Sequence, residues 1–239
     1  PPRKMTNGVL SPPYAFLSME QPKYVKYLSN AVYLKDNFDL MVTYVSRDKY
    51  TSTKIPNMPI TYYPLNVVSP DAVLRPPKPI AEKTGYGTGV TVAAFVSNCK
   101  AAGADKRAAY LQELMKYIPV HSYGGCAKNR DEPEMPHDPE WPAIAQKRAR
   151  KVNVLSNYKF YFAFENSVVD DYVSEKIFEG LFAGTVPIYK GAPRVGEFMP
   201  STDSYIDASN LKPLELANLL KNITSDTDRY NSYFAYKSR

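Results

Sequence analysis

From Tyr158 to Pro193 the chain reads YKFYFAFENSVVDDYVSEKIFEGLFAGTVPIYKGAP, and the spacing of its apolar positions changes twice. Phe160, Phe162 and Phe164 alternate as strand residues do. A polar loop follows, in which Asp170 and Asp171 read as helix-starting residues, with Glu175 and Lys176 in the first turn. Ile177, Phe178 and Leu181 then fall at helical spacing, Gly184 reads as a helix stop, and Thr185–Tyr189 as a second strand.

The same alternation extends on both sides. Thr91–Ser97 is a short apolar strand, and residues 104–118 place Leu111, Leu114, Met115 and Ile118 on one helical face. Val120–Tyr123 reads as the next strand. KNRDEPEMPHDPEWP (128–142) is too rich in Pro and charge for a regular element, and a helix is predicted over 143–155. Pro213 opens an amphipathic helix with Leu214, Ala217 and Leu220 inward. Nearer the start, Met19 to Leu34 predicts a helix or helical turn and Asp39 to Val45 a strand. Residues 46–89 are rich in Pro, Thr and Tyr and read as loops and linker. The division that follows is an N-terminal unit over 1–85 and a C-terminal unit over 86–239. Strands alternating with helices imply a parallel sheet, whose ligand crevice lies at the strand C-termini. Neither GxGxxG nor a Walker loop is present.

Composition narrows the ligand. Of 239 residues 44% are hydrophobic and 23% charged, as in an ordinary folded protein. The net charge is +6, but the basic residues are scattered without an Arg/Lys stripe, so a phosphorylated small molecule is expected rather than nucleic acid. No apolar run has the length of a membrane span, and the opening PPRKMTNG has no signal-peptide pattern and no initiator Met. The chain is therefore read as a fragment or processed form, with any membrane segment absent from it. Cys99 and Cys126 are the only cysteines and His121 and His137 the only histidines, which argues against a zinc site. Each cysteine follows a predicted strand, so the pair is open to two readings, a disulfide or two buried thiols. Asn222-Ile223-Thr224 is an N-glycosylation sequon.

The first turn of this helix, which carries Glu175, is where backbone N–H groups point at an anion, and Lys176 adds a cation there. A nucleotide diphosphate fits, with Lys176 toward the diphosphate and Glu175 able to accept hydrogen bonds from ribose hydroxyls. Asp226-Thr227-Asp228 spells a DxD, but in a polar stretch that reads as a solvated loop rather than a metal site.

FEN, YVSEK and AGTVPIYKGAP together closely resemble the donor-binding signature of the α1,3/α1,4-fucosyltransferases, glycosyltransferase family ten. FVSNC, YLQELMKYIPVHSYGGCAKNR, LSMEQP and FDLMVTY add to the likeness, which spans roughly 14–236 and is strongest after 90, with a eukaryotic cast in MKYIPVHSYGGC. The resemblance implies a GT-B fold of two Rossmann-like domains, the donor site in the C-terminal one and the N-terminal one truncated. It implies inverting transfer of L-fucose from GDP-β-L-fucose, without a catalytic metal or other cofactor, to a glycan or glycoprotein hydroxyl. The leading expectation is an α1,3 link to GlcNAc. An α1,4 link, O-fucosylation of protein and a non-catalytic sugar-nucleotide binder are the alternatives.

By the same resemblance Arg107 contacts phosphate, Asn166 and Tyr172 contact the donor, and Glu175 and Lys176 keep the roles given above. Glu20, in MEQP where the family has an ESP-like run, is the general base, with Gln21 replacing Ser. A Golgi-lumenal type II membrane protein is expected in full-length form. The chain departs from the family after its FD…TY strand, where VSRDKYTSTKIPNMPITYYP replaces an Arg-containing run and a PYG turn.

Overall fold

The computed structural model describes residues 5–6, 9–10, 14–18, 30–44, 57–59, 73–99, 104–139 and 143–238. β1 (Met5–Thr6) and β2 (Val9–Leu10) pair antiparallel. β3 (Ala15–Ser18) precedes α1 (Ala31–Asn37), which leads into β4 (Leu40–Thr43), and β5 (Asn57–Pro59) completes a parallel three-stranded sheet in the order β3-β4-β5. The described helix begins later than the apolar spacing from Met19 suggests. Asn30 caps it, its Oδ1 accepting from the Tyr33 amide at 2.9 Å, and residues 19–29, Glu20 among them, lie outside the described residues. Leu34 and Met41 are fully buried beneath α1.

The second sheet is built from β6 (Val92–Ala94), α2 (Ala104–Leu114), β7 (Val120–Ser122), α3 (Gln146–Leu155), β8 (Phe160–Phe164), α4 (Glu175–Phe182), β9 (Val186–Lys190), β10 (Ile206–Asp207), α5 (Pro213–Thr224) and α6 (Thr227–Ser232). Its five strands run in the order β10-β9-β8-β6-β7, and every pairing is parallel. Phe160, Phe162 and Phe164 point to the face covered by α2 and α5, beside Leu111, Leu114, Leu216 and Leu220. Tyr161 and Ala163 point to the opposite face, against Val154 and Leu155 of α3. Every residue of β8 is buried, as expected of a central strand covered on both sides.

Several boundaries differ from the sequence reading. α4 starts at Glu175 rather than at Asp170 or Asp171. Asp171 has φ +63°, a left-handed backbone incompatible with a helical start, and its buried carboxylate pairs with Arg194. Leu214 is 49% exposed instead of inward, because the buried stripe of α5 runs through Leu216, Ala217, Leu220 and Ile223 and leaves Leu214 on the other side. Asp226 is a helix cap, its Oδ1 accepting from the Arg229 amide at 2.9 Å. Cys99 and Cys126 form a disulfide, with Cα atoms 5.6 Å apart, joining the segments that follow β6 and β7.

Residues 73–85 pack on the second sheet. Val73 joins Ile177, Phe178 and Tyr236, while Gly184 ends the α4 turn at φ +61° with Pro77 so close that an added Cβ would stand 2.8 Å from it. Lys83 is buried to 1% exposure, and its ammonium donates to the carbonyls of Gly184 at 2.6 Å and Ser156 at 3.3 Å. Burial, with the charges of Lys78 and Lys237, pulls its pKa down to about 7.

An unfolded lysine titrates near 10.4, so between about pH 7 and about pH 10 the unfolded chain binds the extra proton and Lys83 makes stability rise with pH. Lys83→Met should flatten that rise, which over the whole window is on the order of a few kcal/mol at about 1.4 per pKa unit. Urea midpoints measured from about pH 7 to 9 check this; an unchanged slope would mean that Lys83 holds its proton as an ordinary lysine does. Lys237, lowered to about 8 by burial, supplies part of the slope that remains.

Candidate functional site

β8 and β9 end side by side, Phe164 in register with Lys190, and the Glu165 amide donates to the Lys190 carbonyl at 2.9 Å. The chain leaving β8 turns over this edge while α2 approaches from the face of the sheet. Between them is a cavity of about 510 Å³, lined by Lys106, Arg107 and Tyr110 of α2, by residues 164–169, and by Lys190. A crevice at the C-terminal edge of a parallel sheet is where such folds bind ligands.

Arg107 is buried, and its guanidinium donates to the carbonyls of Phe164 at 3.1 Å and Asn98 at 3.3 Å. Tyr110 donates its hydroxyl to the Leu211 carbonyl at 2.9 Å and packs its ring 4.9 Å from that of Phe164. Burial, reinforced by Glu215, pushes its phenol up to about 12, so it stays neutral. The Lys190 ammonium lies 5.6 Å from the centre of the Tyr110 ring. Among the described residues, the buried Oδ1 of Asn166 accepts no hydrogen bond. An acceptor without a partner at a cavity wall is suited to a ligand N–H or O–H.

Glu165 is the acid of this lining, and its side chain is 0% exposed. It accepts from the Ser174 amide at 2.8 Å, the Ser174 hydroxyl at 2.7 Å and the Lys176 ammonium at 3.1 Å. Gly191 leaves room for it, since an added Cβ would stand 2.6 Å from Glu165 Cγ and 2.3 Å from the Tyr189 hydroxyl. Lys176 also donates to Ser174 Oγ at 2.6 Å and reaches Glu175 at 3.4 Å. Desolvation opposes its charge, but Glu165 and then Glu175 outweigh it and raise its pKa. Desolvation likewise opposes ionisation of Glu175, yet Lys176 and Lys151 hold its pKa below the ordinary glutamate value.

The structure brings Arg107 and Asn166 together in the cavity wall. Glu175 and Lys176 fall in the first turn of α4, as read from the sequence, but neither lines the cavity, and Lys176 is joined to it through Glu165. Tyr172, read as a donor contact, is buried between the two sheets, its ring 5.3 Å from that of Tyr44 in an edge-on contact. Asn222 is exposed on α5. Glu165, Lys106 and Lys190 were missed. Glu165 and Lys190 sit at the ends of adjacent parallel strands, a position that by itself marks ligand contacts.

This is an α/β protein with a cavity lined by Lys106, Arg107 and Lys190 at the C-terminal edge of a parallel sheet. It belongs to glycosyltransferase family 10 (fucosyltransferase), whose C-terminal domain model matches residues 87–239. Among curated proteins, the chicken GDP-fucose protein O-fucosyltransferase 3 is 32% identical over 189 residues, 78% of this chain and 38% of that protein. The Xenopus laevis protein of the same name is 39% identical over 132 residues, 55% of this chain and 27% of that protein. The chain thus spans between about a quarter and two fifths of these relatives. A crystal structure of an α1,3-fucosyltransferase with GDP-fucose superposes with TM-score 0.60 at 19% identity, covering 92% of this chain and 65% of that one. Another, with GDP, gives 0.58 at 18%, covering 84% and 62%. The fold is theirs, of GT-B type.

Removing Lys176 would leave Glu165 buried and uncompensated. Lys176→Met should therefore cost about 3–5 kcal/mol, checked by denaturant unfolding. Because the folded pKa of Lys176 is raised, its contribution is complete below the unfolded value near 10.4 and is lost only at higher pH. The loss in Lys176→Met should accordingly be the same at about pH 6 and about pH 9.

Proposed function

We propose that this protein transfers L-fucose from GDP-β-L-fucose to an acceptor hydroxyl, with the cavity beside β8 and β9 as the donor site. The observation that carries the reading is the convergence of Arg107, Lys106 and Lys190 on one cavity whose acid, Glu165, is already engaged. In an inverting transfer the acceptor oxygen bonds to fucose C1 as the bond from C1 to the diphosphate oxygen breaks. The electron pair leaves on GDP, and cations placed there stabilise the charge as it develops. Positive side chains take this part, so no divalent metal is needed and EDTA should not abolish transfer. The acceptor proton passes to a carboxylate, for which Glu20 is the candidate. Asn166 Oδ1 offers an acceptor to the donor. Glu175, kept ionised by Lys176 and Lys151, suits ribose hydroxyls at the helix start. Tyr172 would act on the donor through the packing of the two sheets.

For the acceptor, the likeness to proteins named GDP-fucose protein O-fucosyltransferase 3 favours a hydroxyl of a protein side chain. The α1,3 link to GlcNAc is the second reading, supported by the likeness to α1,3-fucosyltransferase structures. A disulfide between Cys99 and Cys126 suits an oxidising compartment, in keeping with the Golgi lumen. Among the described residues no helix is long and apolar enough to cross a membrane.

Titration calorimetry with GDP should show binding, and Arg107→Ala should weaken it by about 10- to 100-fold, the loss of a hydrogen bond to a charged group. Glu20→Gln should bind GDP normally while transfer falls about 10²- to 10⁴-fold, as for loss of a general base. Mass spectrometry of products made with GDP-fucose separates the acceptors: fucose on Ser or Thr supports the first reading, and fucose only on GlcNAc supports the second.

A further inference from the structure

The cations around the donor cavity are not equally available to a ligand. The Lys176 ammonium is tied to Glu165, Ser174 and Glu175. Arg107 is held by the carbonyls of Phe164 and Asn98, which fix its plane. Lys106 is exposed on α2. Lys190 differs from all of these. Its backbone is fixed as the last residue of β9, where its carbonyl takes the Glu165 amide, and its stem is half-buried in the cavity wall. Among the described residues its ammonium has no acidic partner, only the face of the Tyr110 ring at 5.6 Å.

A cation over a phenol ring gains about 0.5–2 kcal/mol, which a charge-assisted bond to phosphate of about 1.5–3 can match or exceed. A lysine held this way is charged, aimed and replaceable. Its strand-end position also points it into the crevice in which a ligand of the sheet would lie.

Resting on the donor reading of the cavity, we propose that Lys190 is the cation that moves onto the diphosphate of the bound nucleotide, exchanging the Tyr110 ring for a phosphate oxygen. Lys176 then serves mainly to hold Glu165 and the start of α4, and Arg107 forms a fixed wall. No proton or electron pair passes through Lys190. It neutralises charge on the diphosphate, more strongly as the bond to fucose breaks.

The test is calorimetry of the full chain with GDP, GMP and guanosine, on wild type, Lys190→Met and Lys190→Arg, with thermal melts to confirm folding. Lys190→Met should lose GDP affinity by tenfold or more, about 1.4 kcal/mol, lose less for GMP, and bind guanosine as wild type does. Lys190→Arg should return GDP affinity to within a few-fold. In turnover with GDP-fucose, Lys190→Met should lower kcat more than it raises KM, since the contact strengthens in the transition state. GDP affinity in Lys190→Met within twofold of wild type would overturn the proposal while leaving the donor reading intact. A parallel loss for guanosine would also overturn it, because the residue would then be shaping the pocket. A wild-type protein that binds none of these ligands would instead overturn the donor reading itself.

Discussion

Taking a carboxylate out of water forces its surroundings to supply the missing partners, and Glu165 imposes that demand on the whole C-terminal edge of the larger sheet. With its side chain fully buried, it must find hydrogen-bond donors, and it finds them in the Ser174 amide, the Ser174 hydroxyl and Lys176. Ser174 is the residue on which α4 begins, so the charge fixes where the helix starts. Gly191 must remain without a side chain for the carboxylate to fit, which ties the exit of β9 to the exit of β8. Helix start, strand ends and the Lys176 side chain are thus set by one buried charge. Its second effect is electrostatic. Once engaged by Ser174 and Lys176, Glu165 is the one acid in a lining that also holds Lys106, Arg107 and Lys190.

The two sheets meet through apolar contacts of a different kind. Tyr172 and Val169, on the loop between β8 and α4, pack with Tyr44, Met41 and Leu34 of the smaller sheet. This loop also forms the outer wall of the cavity, so the element that bounds the cavity is the one that touches the neighbouring unit. A ligand that shifts residues 166–169 would be felt across that contact. Tyr172 is thus linked to the cavity wall through packing.

Much of the fold was legible in the sequence because its strongest signals are local. The Phe160, Phe162, Phe164 alternation, the Leu111 and Leu114 spacing and Gly184 as a helix stop all report backbone geometry within a few residues. What the sequence hid depends on distant partners. Asp171 looks like a helix-starting residue until Arg194, far along the chain, is seen to hold its carboxylate in a left-handed turn. Leu214 looks inward until the α5 stripe is centred by packing on α2. Arg107 and Asn166, which line the cavity, stand out in the sequence through the family signature, whereas Glu175 and Lys176 stand at the start of α4, outside the cavity lining. Lys190 lies within that signature, but that its ammonium meets the Tyr110 ring and, among the described residues, no carboxylate is a property of three-dimensional surroundings. Glu20 lies outside the described residues.

The Cys99–Cys126 bond has a consequence beyond holding two strand ends together. Asn98, whose carbonyl holds the Arg107 guanidinium, is the immediate neighbour of Cys99. A covalent link on one side of that residue and the Arg107 guanidinium on the other make the loop a mechanical hitch between redox state and cavity shape. Buffers rich in thiol reductant would slacken the hitch without touching any residue of the cavity wall, and the same polypeptide made in a reducing cytosol would carry its arginine on a looser mount.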